Sequence, residues 1–160
     1  MIKSWMVIGG VTLLATFLIA PFMKREGMQW FRRLRRPKWL VFEPAIPMIW
    51  TAIFVCGAWS ATLVWNAIAP TEPARAWLYM GGYLLLELAT LAYSPVMMNL
   101  QSLRVGTAIG ATGGLIGALL AVVVWQVSQT AGWLLVPYLL WSPIGTYTTW
   151  AMAHLNPQDA

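Results

Sequence analysis

Of 160 residues, 59% are hydrophobic and 9% charged, and the mean hydropathy is +0.66, so there is too little polar material to coat a soluble globule of this size. A formal net charge of +5 raises the question of nucleic acid, but the basic residues are interrupted by apolar runs and gathered mainly in one loop, so the lipid bilayer is the expected partner and nucleic acid is not. A single cysteine, Cys56, excludes an internal disulfide and any multi-cysteine metal site, and the single histidine, His154, reads as an interfacial polar residue, so no metal ligand is assigned.

Backbone amides in hydrocarbon must pair internally, and the long continuous apolar runs of this chain fit helices rather than the short alternating strands of a barrel. A spanning helix takes about 20 apolar residues. The first such run is 4–23. Its length, and Pro21 where a small-residue cleavage site would lie, favour a retained helix over a signal peptide. Residues 24–43 form a basic loop with seven of the ten Lys and Arg. The second run, 44–69, opens on Pro44 and Pro47, which cost least in a first helical turn. The third is 76–100 with Pro95 late in it, the fourth 105–127, and the fifth 133–153 after a "SQTAG" linker. The expected fold is therefore all-α, a single-domain integral membrane bundle of five transmembrane helices over residues 1–160. Loops one and three carry Lys24, Arg25, Arg32, Arg33, Arg35, Arg36, Lys38 and Arg104, against Lys3 and Arg75 on the other side. The positive-inside rule then puts the basic loop and the C-terminus in the cytoplasm and the N-terminus outside.

Eleven tryptophans are far above ordinary usage, and eight of them (Trp5, Trp30, Trp39, Trp65, Trp77, Trp125, Trp133 and Trp150) fall near span ends or in the loop, where interfacial anchoring explains them. Trp50, Trp59 and Trp141 lie further into spans, where an indole N–H needs a partner. Trp50, Phe54, Gly57 and Ala61 share one helical face of the second run, and Trp141, Gly145 and Thr149 one face of the fifth. Opposed, these faces would make an aromatic slot; the alternative is plain helix packing through small residues. Glu87 is the one acid well inside a span, and with Tyr83, Thr90 and Ser94 it marks a polar face, either a ligand or proton site or a structural interhelical hydrogen bond. The fourth run carries the small-xxx-small pairs Gly106/Gly110 and Gly113/Gly117, open to bundle packing or to a homodimer seam. No nucleophile elbow, phosphate loop or dinucleotide fingerprint is present, and no catalytic residue is assigned.

The loop ending "RRPKW", the following "FEPAIPMIW" and the late "PYLLW" resemble the TspO/translocator-protein (TspO/MBR) family, the tryptophan-rich sensory proteins. Trp39 and Trp50 keep the family's eleven-residue spacing, and Pro137 to Trp141 keep its fifth-helix motif. The resemblance implies a five-helix, often dimeric membrane bundle that binds flat hydrophobic ligands such as tetrapyrroles (protoporphyrin or haem) beneath the first loop, with no obligatory cofactor. It implies ligand-binding roles for Trp39, Trp50 and Trp141, with Gly145 at the family's small-residue position, and Phe54, Glu87, Thr90 and Tyr93 complete the candidate wall. The family's third-helix Leu-Asn-Trp-x-Trp-x-Pro is altered: Thr90 stands at the Asn, Leu91 at the first Trp and Tyr93 at the second, and the fifth-helix Leu-Asn is Thr148-Thr149. The leading functional reading is a receptor or carrier for such ligands, with sensing or stress regulation among its uses. The alternatives are photo-oxidative porphyrin breakdown, for which a third-helix Trp is missing, and a non-catalytic membrane scaffold.

Overall fold

Each long apolar run is a helix in the computed structural model, which describes residues 3–159 and is all-helical among them. The six α-helices there are α1 (Ser4–Ile19), α2 (Arg25–Arg33), α3 (Ile46–Ile68), α4 (Pro73–Leu100), α5 (Leu103–Val127) and α6 (Gln129–Leu155). Among the described residues three stretches are long and apolar enough to cross a membrane: Glu43–Ile68, Pro73–Leu100 and Leu103–Val127. With 16 residues at about 1.5 Å each, α1 reaches roughly 24 Å, and the 3₁₀ turn Ala20–Phe22 adds about 6 Å. The 27 residues of α6 have the length, but Pro137, Pro143 and a run of hydroxyl side chains dilute their hydropathy.

Two local features differ from the sequence expectation. The basic loop contains α2, whose Gly27 and Trp30, with Leu34 just beyond, form a buried stripe at helical spacing while its cations face outward. The "SQTAG" linker is no linker at all. Ser128 ends α5 by donating its backbone N–H to the Val124 carbonyl and begins α6 by accepting the Ala131 amide on Oγ at 3.2 Å, so one residue turns the chain. The α4–α5 turn is nearly as tight, with Gln101 left-handed at φ 49° and Ser102 capping α5.

Packing runs α1 on α3, α3 on α6, α6 on α5, α5 on α4 and α4 back on α1, which closes a ring. The glycine ridge of α5 is spent inside it. A Cβ on Gly113 would stand 2.9 Å from the Tyr138 hydroxyl, and one on Gly117 would stand 2.5 Å from the Tyr138 ring. Gly106 meets Met97 and Thr149, and Gly110 meets Thr146. Of the two sequence readings of the ridge, bundle packing is the one that uses these faces.

One buried hydroxyl ties α3 to both α4 and α6. Ser60, fully buried, donates to the Ala131 carbonyl at 2.7 Å, so the Tyr83 hydroxyl 2.6 Å away is the donor to Ser60. Ser60→Ala should therefore lower the midpoint of thermal unfolding in detergent, by an equivalent of ~1 kcal/mol, because it leaves the Tyr83 phenol without its acceptor and removes a second bond to the Ala131 carbonyl.

Candidate ligand cavity beneath the basic loop

Under α2 and the turn that follows it lies a cavity of about 540 Å³, inside the range of about 300–1,000 Å³ usual for small-molecule sites. The start of α3 contributes Trp50 and Phe54, the end of α4 Thr90 and Tyr93, and α6 Trp141 and Gly145. Six of the eight residues singled out from sequence thus share one chamber. Trp50 and Trp141 meet edge to face, with centroids 6.5 Å apart and planes at 87°. Phe54 and Tyr138 flank Trp50 at 6.1 and 6.4 Å. Gly145 is open space: a Cβ built there meets nothing within 4 Å.

The other two lie elsewhere. Trp39 stacks on Tyr147 at 5.8 Å and is 41% exposed, outside the chamber lining. Glu87 lines a different cavity, described below. Sequence reasoning also missed Phe42, which lines the chamber from the loop and packs edge to face on Trp141 at 6.0 Å. It stands three residues beyond Trp39 in the loop, and no helical spacing links it to Trp141, so only the folded loop brings the two together. Trp59 faces outward at 54% exposure, and Trp30 is an internal residue at 2% whose Nε1–H donates to Asp159 Oδ1 at 2.6 Å.

Two of the positions altered from the resembled pattern, Tyr93 and Thr149, pair with each other. Thr149 donates to the Gly145 carbonyl at 3.2 Å, which leaves its oxygen to accept from the Tyr93 hydroxyl. Tyr93 and Thr149, both departures from the family pattern, are thus one hydrogen-bonded pair on the chamber wall. Two donors there remain unspent: Trp141 Nε1–H and the Thr146 hydroxyl are buried with no partner among the described residues. An unsatisfied buried donor costs about 1–3 kcal/mol, so these two groups are held in the chamber wall at a cost.

The roof is held at both ends by asparagines. Asn99 at the end of α4 donates to the Phe22 carbonyl at 2.7 Å and accepts the Lys24 amide at 3.0 Å. Asn156, after α6, accepts the Arg35 amide at 2.9 Å and donates to the Arg35 carbonyl at 3.1 Å. Gly27 lets α2 lie against α4, since a Cβ there would be 2.5 Å from the Met98 carbonyl oxygen. Arg36 is committed to the Phe31 and Leu34 carbonyls at 2.8 and 2.7 Å and to Glu43 at 3.4 Å. Arg32, Arg33, Arg35 and Lys38 are exposed, and among the described residues no Lys or Arg lines the chamber.

The TspO/MBR family model matches residues 7–155. The chain is 28% identical to the tryptophan-rich protein TspO of Bacillus cereus over 127 residues, 79% of this chain and 80% of that one. It is 28% identical to the human translocator protein over 165 aligned positions, covering 96% and 94% of the two chains. A further relative, the membrane protein YtaB of Bacillus subtilis, is 24% identical over 142 residues.

Proposed function

The chain belongs to the TspO/MBR family, and on that premise we propose that it is a five-span membrane receptor or carrier that takes flat apolar ligands, tetrapyrroles among them, in the chamber beneath the basic loop. The observation that carries this reading is the perpendicular pair Trp50 and Trp141, with open space at Gly145 and an unspent indole N–H on Trp141. Aromatic faces supply most of the apolar contact area for a planar ligand, and the N–H orients it through one acceptor. The exposed lid cations attract an anionic group from solution rather than seat it, because they stand off the chamber wall.

Five spans follow if α1 with its 3₁₀ extension and α6 cross beside the three strongly apolar helices. An odd number of crossings separates the termini, and the charge bias then sets the loop and C-terminus in the cytoplasm. A homodimer also belongs to this proposal, resting on the family resemblance and not on the glycine ridge.

Titration of protoporphyrin against intrinsic tryptophan fluorescence in lipid nanodiscs tests the site. Wild type should show saturable quenching, and both Trp141→Phe and Gly145→Leu should weaken it at least about tenfold, or ~1.4 kcal/mol. Equal midpoints in all three proteins would sink the proposal.

A further inference from the structure

The second large cavity, about 590 Å³, lies at the opposite end of the bundle between α1, the end of α3 and the start of α4. It meets the loop-side chamber at Phe54, Thr90 and Tyr138, which line both and form the partition. Three of its hydroxyl groups are committed within the chain. Tyr83 donates to Ser60, Thr90 donates to the Leu86 carbonyl at 2.8 Å, and Ser4 donates to Asn66 at 2.7 Å. Glu87 is the exception. Its Oε2 receives only a long bond from Thr12 at 3.4 Å, and its Oε1 is buried with no partner among the described residues.

A carboxyl group inside a bundle is retained at a cost and needs a donor. Among the described residues no Lys or Arg lines this cavity, so none of their side chains brings a cation to the wall. The remaining surface is apolar and aromatic, with Trp65 and Trp77 packed edge to face at 5.0 Å near its outer end. We infer that this cavity is a second binding site, for amphiphilic amines, in which an ammonium group donates to Glu87 Oε1 and the apolar body lies among Ile53, Ala61 and Leu135. An ammonium–carboxylate contact is a charge-assisted hydrogen bond, strongest where water is excluded, and nearby ring faces add attraction for the cation. Entry is easiest past α1, which buries none of its sixteen residues against its neighbours. Gly57 opens onto the cavity with nothing within 4 Å of a built Cβ, so the chamber has room where the small residues of α3 face it. This site stands independently of the loop-side reading: it shares only the partition residues Phe54, Thr90 and Tyr138 with that chamber and has a different polar anchor.

Monodansylcadaverine, a primary amine with an aromatic body, is the probe, and energy transfer from tryptophan to dansyl in zwitterionic nanodiscs is the readout. The neutral control is N-pentyldansylamide, which lacks the amine. Wild type should show saturable transfer with the amine and none with the amide. Glu87→Gln should weaken the amine at least tenfold by removing the anion, and Gly57→Leu should do so by filling the space. Trp141→Phe and Gly145→Leu, which impair protoporphyrin quenching, should leave the amine midpoint unchanged. Absence of saturable transfer in wild type, an unchanged midpoint in Glu87→Gln, or equal binding of the neutral amide would each overturn the assignment.

Discussion

Alanine at position 117 should destabilise the protein by about 1–3 kcal/mol, a clear drop in the midpoint of thermal unfolding in detergent. The sign is the informative part. In a helix interior, Gly to Ala ordinarily gains about 0.5–1 kcal/mol, because glycine loses the most backbone freedom on folding. At Gly117 the added carbon would lie 2.5 Å from Cε1 and 2.8 Å from Cδ1 of Tyr138, closer than carbon atoms approach. That ring cannot swing aside. Tyr138 is 7% exposed and lies against Gly113 through its hydroxyl, so relief requires α5 and α6 to part. Close helix approach through small residues is a main source of cohesion where lipid competes for apolar contact, so this separation is costly. Gly57→Ala provides the internal control: its Cβ meets nothing within 4 Å, and the ordinary gain should appear. If both variants shift the midpoint upward, the α5–α6 seam is looser than described.

The pattern of what could be read beforehand follows from which interactions are local. Long apolar runs dictate helices because hydrocarbon leaves the backbone no other partner, and the runs containing Trp50, Glu87 and Trp141 needed no tertiary knowledge. Helical spacing placed Trp50 with Phe54 and Trp141 with Gly145, and these four line one chamber. Spacing could not say which side of the bundle the rest of each face would meet. Gly57 and Ala61 continue the Trp50 stripe yet line the far cavity, because a helix crossing the whole bundle passes from one chamber to the other. Glu87 follows the same logic: one turn before Thr90, it falls beyond the partition that Thr90 forms with Phe54 and Tyr138. Trp30 looked like an interfacial anchor because its partner Asp159 lies 129 residues away. Asn99 and Asn156 carried no signal, being ordinary helix-end residues until the loop is folded across them.

Removing the Asn156 side chain should release the lid without unfolding the bundle. Asn156 is 8% exposed, and besides its two bonds to Arg35 it donates to the Met152 carbonyl at 2.8 Å. Asn156→Ala therefore strands the amide and carbonyl of Arg35, while the Met152 carbonyl keeps the backbone N–H of residue 156 at 3.0 Å. An orphan shielded from water costs about 1–3 kcal/mol, but the lid can lift and let water satisfy both, so the cost appears as local opening. A shift of ~2 kcal/mol in that opening equilibrium raises the open population about thirtyfold. Tryptic cleavage among Arg32, Arg33 and Arg35 tracks that population when closure is faster than cutting, so its rate should rise by a similar factor while the global unfolding midpoint moves little. Asn99→Ala frees the other end, where the contacts are exposed and water already competes, so its effect should be several-fold smaller. Protoporphyrin should then leave Asn156→Ala faster, because the roof residues Phe31, Leu40 and Phe42 cover the chamber only while the strap is down. Unchanged cleavage in Asn156→Ala would mean that the burial of Trp30 and Leu34, rather than the asparagine, holds the lid.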